Sequence, residues 1–230
     1  MDPTQLQHTS RQYDEDLRGL RAGLLKMGGL VERQIAEAIE ALVNRNVEHA
    51  REVIGRDAEV NTLDVENDEN AIRLLALHQP TAIDLRFITT GLKITTDLER
   101  IGDNAVNICE RAIELNDYPQ LKPYIDIPRM ATIAQTMVKD SIDALLRGDD
   151  ELAQRVIDRD DEVDLLNYQI YRELLSYMAE DPRTIGPATR LLFVSKYLER
   201  IADHATNIAQ MVIFMVKGKL VRHMDNKKSQ

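Results

Sequence analysis

The chain contains itself twice. Leu98-Glu99-Arg100-Ile101-Gly102-Asp103 and Asn107-Ile108 recur as Leu198-Glu199-Arg200-Ile201-Ala202-Asp203 and Asn207-Ile208, 100 positions later. An earlier set, Val53-Ile54, Arg56-Asp57, Glu59-Val60 and Leu63, recurs as Val156-Ile157, Arg159-Asp160, Glu162-Val163 and Leu166 at an offset of 103. Two motifs in the same order define a duplicated unit of about 100 residues, which limits the fold to two copies of one small architecture.

That architecture is helical. Periodicity of 3.6 runs through nearly the whole sequence and predicts six helices, at 5–44, 47–78, 82–116, 127–147, 150–180 and 184–218. The breaks carry turn chemistry: Asn44 to Asn46, Gln79-Pro80-Thr81, a linker from Asn116 to Asp126 with Pro119 and Pro123, Gly148-Asp149-Asp150, and Asp181-Pro182. Thr81 and Asp84 resemble a capping box. Gly28-Gly29 is the expected place for a kink. The third and sixth helices carry one apolar stripe each: Ile94, Leu98, Ile101, Ala105, Ile108, and Val194, Leu198, Ile201, Ala205, Ile208. Short connections make neighbours antiparallel. The expected fold is all-α, a tandem pseudo-symmetric pair of antiparallel three-helix bundles, with units at 1–118 and 119–220 and a tail at 221–230.

The repeated motifs are acidic. On a helical wheel Glu99 and Asp103 lie about 40° apart and far from the apolar stripe, and Glu199 and Asp203 do the same. Like charges one turn apart repel by a few tenths of a kcal/mol, roughly, and a cation between them reverses the sign. The preceding helices offer Asp57, Asn61 and Asp64, then Asp160, Asp164 and Asn167. Folding each hairpin at its turn sets Asp57 opposite Asp103 and Asn61 opposite Glu99. It sets Asp160 opposite Asp203 and Asp164 opposite Glu199. Eight positions are therefore candidate metal ligands: Asp57, Asn61, Glu99, Asp103, Asp160, Asp164, Glu199 and Asp203. Asp64, Asn107, Asn167 and Asn207 are placed for supporting hydrogen bonds. Oxygen ligands suit magnesium, manganese or iron, and accept zinc. The competing interpretation is a solvated acidic face with Arg100 and Arg200 as ion-pair partners. His204 follows Asp203 only in the second copy. His8, His49, His78 and His223 show no ligand spacing and read as surface residues.

Composition narrows the function. The formal net charge is −10 and there is no Trp, which disfavours binding to nucleic acid through phosphate neutralisation or base stacking. The basic stretch Arg222 to Lys228 reads as a solvated terminus. A single cysteine, Cys109, fits a reducing compartment. No signal pattern opens the chain, and the longest apolar run, Met211 to Val216, is too short to span a bilayer. A cytoplasmic protein is expected.

These motifs resemble the PhoU family. The resemblance rests on Asp97 to Asp103, Leu198 to Ala209, Asp84-Leu85-Arg86, Met27 to Val31 and Val221 to Met224. It implies two three-helix bundles whose E(D)xxxD motifs bind multinuclear metal clusters. Here those motifs are Glu99/Asp103, Glu199/Asp203 and Asp160/Asp164, with Asn61 replacing the acid expected after Asp57. It also implies a homodimeric regulator that restrains phosphate uptake and the phosphate-starvation regulon. Such a regulator acts between the ATPase subunit of a phosphate ABC transporter and a membrane sensor histidine kinase, so any membrane association is indirect. The alternatives are a carboxylate-bridged metalloenzyme and a metal-free helical scaffold. A ferritin-like Glu-x-x-His is missing, since Gly102 and Ala202 stand at the third position.

Overall fold

The computed structural model describes residues 3–218, with side chains from Arg11 onward. His8, His223, the Val221 to Met224 match and the Arg222 to Lys228 stretch lie outside the described side chains. Six helices follow in order: α1 (Pro3–Asn44), α2 (Val47–Leu77), α3 (Ala82–Leu115), α4 (Asp126–Arg147), α5 (Asp150–Glu180) and α6 (Ile185–Lys217). Every boundary falls within two residues of the expectation.

Helix ends are set by local chemistry, and the two copies use the same devices. The α1–α2 turn places Arg45 at φ 54°, and Gly148 takes φ 64° at the equivalent α4–α5 turn. Asn46 then caps α2 by accepting from the His49 amide, and Asp149 caps α5 by accepting from the Leu152 amide. Arg45 is useful in spite of its left-handed backbone. Its guanidinium donates to the carbonyls of Leu115, Asn116 and Tyr118 at 3.1, 3.3 and 2.6 Å, satisfying groups exposed where α3 ends. Thr81 caps α3 as expected: it accepts from the Asp84 amide and donates to the Asp84 carboxylate at 3.0 Å. A 3₁₀ turn at Pro182–Thr184 leads into α6. The second connection is three residues shorter, with Asp181 alone between α5 and this turn where His78 to Thr81 join α2 to α3.

The pattern of burial separates inner from outer helices. α2 and α5 bury one narrow row each, such as Val53, Val60, Leu63 and Leu74 on α2. α3 and α6 bury a much wider arc, because adjacent positions such as Phe87/Ile88, Ile101/Gly102 and Ile208/Ala209 are both covered. The predicted stripes are wholly buried. α3 packs on α1 and α2, α6 packs on α4 and α5, and α3 also packs on α6 while α1 packs on α4. One apolar core therefore runs through both units.

α3 and α6 run antiparallel. Arg86 approaches Gly218, Asp97 meets His204, and Glu114 pairs with Arg190 at 2.8 Å. α1 passes through Gly28-Gly29 as one continuous helix. Gly28 is instead where α1 and α4 come close: a Cβ there would stand 3.0 Å from Ile142 Cγ1, while one at Gly29 would meet nothing within 4 Å. His78 also departs from expectation. Its side chain is only 11% exposed, stacked edge-on against Tyr13 and 3.7 Å from Asp16.

The two neighbouring glycines should respond in opposite directions. Gly28→Leu overpacks the α1–α4 contact and is expected to cost about 2 kcal/mol. Gly29→Ala only improves helix propensity and should add roughly 0.5–1 kcal/mol. Urea denaturation of both variants measures the pair.

Candidate functional site: two carboxylate hairpins facing one groove

Hairpin geometry brings the acidic motifs level. In the second unit Asp160, Asp164, Glu199 and Asp203 lie close enough to perturb one another. Burial, then Asp203 and Asp164, push the Asp160 carboxyl up to about 6. Burial and then Glu199 raise both Asp164 and Asp203. The expected facing partners, Asp160 with Asp203 and Asp164 with Glu199, are thus the ones that interact. Lys196, one turn before Glu199, is paired with it and partly offsets the repulsion.

The first unit builds the same frame with less charge. Burial raises Glu99 and Asp103, helped by Asp103 acting on Glu99 and Asp57 acting on Asp103. Asp64 reaches the same cluster through Glu99. Asn61 does not stand free as a ligand: its amide donates to Asp57 Oδ2 at 3.0 Å. Gln34 of α1 donates to the other oxygen at 3.3 Å. Gly102 permits this, since a Cβ there would lie 3.2 Å from Asp57 Oδ1 and 3.3 Å from Gln34 Oε1. Arg100 lies 3.4 Å from both Glu99 and Asp103. Two amides and a guanidinium therefore compensate the first cluster internally. The second has one lysine for four carboxylates.

Donor chemistry tests the fit to a metal. Four oxygen-bearing acids with largely uncompensated charge suit a hard cation. The side chains as they stand are paired across each hairpin but not gathered: among the described residues no three His, Cys, Asp or Glu converge on one point.

Antiparallel packing of α3 on α6 then joins the two sites. Arg100, Asp103, Asn104 and Asn107 face Arg200, Asp203, His204 and Asn207 across a polar groove of about 660 Å³. Nothing in either motif alone predicts this meeting. In the sequence Asp97 stands only within the family-matching string, yet it makes a contact between units: His204 Nδ1 lies 2.8 Å from its Oδ1 and the Asn207 amide donates to the same oxygen at 3.5 Å. Asn207 thus serves the inter-unit contact rather than its own acidic pair. Asn104, where His204 has no counterpart, turns inward and donates to the Arg100 carbonyl at 2.7 Å. Asn107 lines the groove, and Asn167 lines a different one beside Asp164. The signal for Asp97 was its position two residues before Glu99, legible only once α3 and α6 are known to be antiparallel partners.

The PhoU domain pattern matches the chain twice, over residues 24–112 and 127–212. The chain belongs to the PhoU family. Its relatives include the phosphate-specific transport system accessory protein PhoU homolog of Caulobacter vibrioides, 44% identical over 93% of this chain and 93% of that protein. The homolog of Aquifex aeolicus is 45% identical over 91% of this chain and 95% of its own length. Among solved structures, PhoU from Pseudomonas aeruginosa superposes with a TM-score of 0.87 at 39% identity, covering 90% of this chain and all of that one. The PhoU regulatory protein of Streptococcus pneumoniae gives 0.84 at 26% identity, covering 91% and 99%. The duplicated all-helical fold is thus that of PhoU. Among the described residues no helix is long and apolar enough to cross a membrane.

The raised Asp160 has a pH consequence for metal-free protein. The unfolded chain releases this proton near pH 4, whereas the folded chain holds it to about 6. Between those values the native state binds more protons, so this group makes stability fall as pH rises, with the full penalty above pH 6. In chelator at pH 7.5, Asp160→Asn should stabilise by about 1 kcal/mol, a figure already reduced for solvent screening. The gain should vanish by pH 4. Thermal denaturation across pH 4–8 measures it.

Proposed function

We propose that this chain is a regulatory adaptor of a phosphate-specific transport system. In this reading it acts in the cytoplasm as a homodimer, between the ATPase subunit of a phosphate ABC transporter and a membrane sensor histidine kinase. When phosphate is plentiful it restrains uptake and represses the phosphate-starvation regulon. The observation that carries the proposal is end-to-end similarity to relatives named as accessory proteins of that system, spanning 93% of both chains in the Caulobacter case. Those names describe accessory proteins rather than enzymes.

Metal binding forms the second part of the proposal. Asp160, Asp164, Glu199 and Asp203 would hold a hard cation in the second unit. Asp57, Glu99 and Asp103, with the Asn61 carbonyl, would form the weaker site in the first. A bound ion would supply the positive charge that each acidic hairpin lacks. Iron, manganese, magnesium and zinc all fit oxygen donors, and the donor set favours the first three.

In a strain lacking the gene, a phosphate-starvation reporter should fire in high phosphate, and the intact chain should silence it. The chain should also co-purify with the transporter ATPase. A reporter indifferent to the chain, with no recovery of the ATPase, would reject the adaptor. For the metal, elemental analysis of protein purified without chelator should find it in the intact chain, with a loss of at least half in Asp160→Asn/Asp203→Asn. Asn61→Asp should strengthen the first site about tenfold by restoring a charged ligand. Equal metal content in every variant would place the ion elsewhere.

A further inference from the structure

One buried amide beside the first acidic hairpin has half of its hydrogen bonding unaccounted for. Gln34 of α1 is 5% exposed. Its Nε2 donates to Asp57 Oδ1 at 3.3 Å. Its Oε1 is buried and has no hydrogen-bond partner among the described residues. Reversing the amide would set its oxygen against the Asp57 carboxylate, so the carboxylate fixes the orientation. A buried amide oxygen without a partner costs stability, and its surroundings show what could fill that role.

Those surroundings are the first acidic hairpin. A Cβ on Gly102 would stand 3.3 Å from Gln34 Oε1 and 3.2 Å from Asp57 Oδ1, so both oxygens lie against bare backbone one residue before Asp103. Asp57 acts on both Glu99 and Asp103, and the three acids repel one another. The neighbouring donors are committed elsewhere. Asn61 donates to Asp57 Oδ2, Arg100 lies on Glu99 and Asp103, Asn104 donates to the Arg100 carbonyl, and Arg56 is held by Glu37. A neutral oxygen beside three carboxylates suits a hard cation. A cavity of about 60 Å³ also opens beside Gln34 between α1 and α2. It has room for a water, which is the alternative partner for Oε1.

Duplication shows what the fold itself needs at this place. α1 and α4 align at an offset of 103, with Ile35, Ala41 and Leu42 matched by Val138, Ala144 and Leu145. Gln34 then corresponds to Met137, and Gly102 to Ala202 at the offset of 100; both counterparts are fully buried. The second unit fills these two places with apolar atoms and carries an acid, Asp164, where the first has Asn61. The buried amide and the missing acid occur in the same unit.

We propose that Gln34 is a neutral oxygen ligand of the first cation site, which is then built from α1, α2 and α3 rather than from the α2–α3 hairpin alone. The inference rests on the cation reading of that hairpin. Asp57, Glu99 and Asp103 supply the charge, and Asn61 and Gln34 supply amide oxygens. Such a mixed carboxylate and carbonyl set suits magnesium and manganese ions.

Manganese(II) is the probe, with the free ion followed by electron paramagnetic resonance. Asp160→Asn/Asp203→Asn silences the second hairpin and is the background, so titration reports the first. In it Gln34→Met, which installs the residue of the second repeat, should weaken Mn²⁺ binding about tenfold or more. Gln34→Glu keeps an oxygen, loses the amide hydrogens, and should bind Mn²⁺ at least as tightly as the background. Circular dichroism, metal-free melting, and Mn²⁺ binding at the second hairpin of an otherwise intact Gln34→Met chain check that the fold persists. If Gln34→Met does not fold, Gln34→Glu decides alone, and weaker binding overturns the proposal. Unchanged binding by Gln34→Met overturns it and leaves Oε1 to a water. Equal loss in both variants overturns it too, because Gln34 then serves only as a donor that holds Asp57. The cation reading fails separately. An intact chain that binds no Mn²⁺ rejects both. A background that binds none, while the intact chain does, confines the ion to the second hairpin and rejects the first site with its Gln34 ligand. A background whose binding ignores Gln34→Met rejects Gln34 alone.

Discussion

Everything in this molecule is positioned from the antiparallel contact between α3 and α6. These are the two helices buried over a wide arc, and each anchors a hairpin partner on its outer side: α2 on α3, α5 on α6. Because interiors are close-packed, a shift of either central helix would be felt through the whole shared core. The contact also decides the chemistry. It turns two separate acidic hairpins into the two rims of one polar groove, closed by Asp97 with His204 and Asn207.

Duplication would permit two identical sites, yet the copies have diverged electrically. In the first, Asn61, Gln34 and Arg100 answer the carboxylates with amide and guanidinium hydrogens. In the second, four carboxylates face one another with Lys196 as partial relief, and burial, then Asp203 and Asp164, hold the Asp160 proton to about 6. A part-exposed like-charge cluster destabilises the protein on its own, and the proposed cation would relieve it.

The structural copies match in their details as well as in their motifs. The Glu37–Arg56 pair at 2.5 Å has its counterpart in Asp140–Arg159 at 3.6 Å. The left-handed positions Arg45 and Gly148 correspond, and so do the caps Asn46 and Asp149. Arg45 shows how a residue without a special backbone can hold a left-handed turn: three carbonyl hydrogen bonds outweigh a modest conformational cost.

The sequence alone determined the helices, their turns, the duplicated unit and the facing of Asp160 with Asp203 and Asp164 with Glu199. All of these follow from periodicities of one chain and from the fixed rise of a helix, which are local properties. It also showed Asn61 as an amide where the other three motifs carry an acid. It could not reveal that Gly28 serves close packing against Ile142, because that depends on a helix more than 100 residues away. Nor could it place His78 in a part-buried pocket with Tyr13 and Asp16, or Asn207 on Asp97. The His78 pocket arises only when α1 packs on α2, and the Gly28 and Asn207 contacts only when one unit packs on the other; no spacing within a single helix encodes the angle and register at which helices or bundles meet.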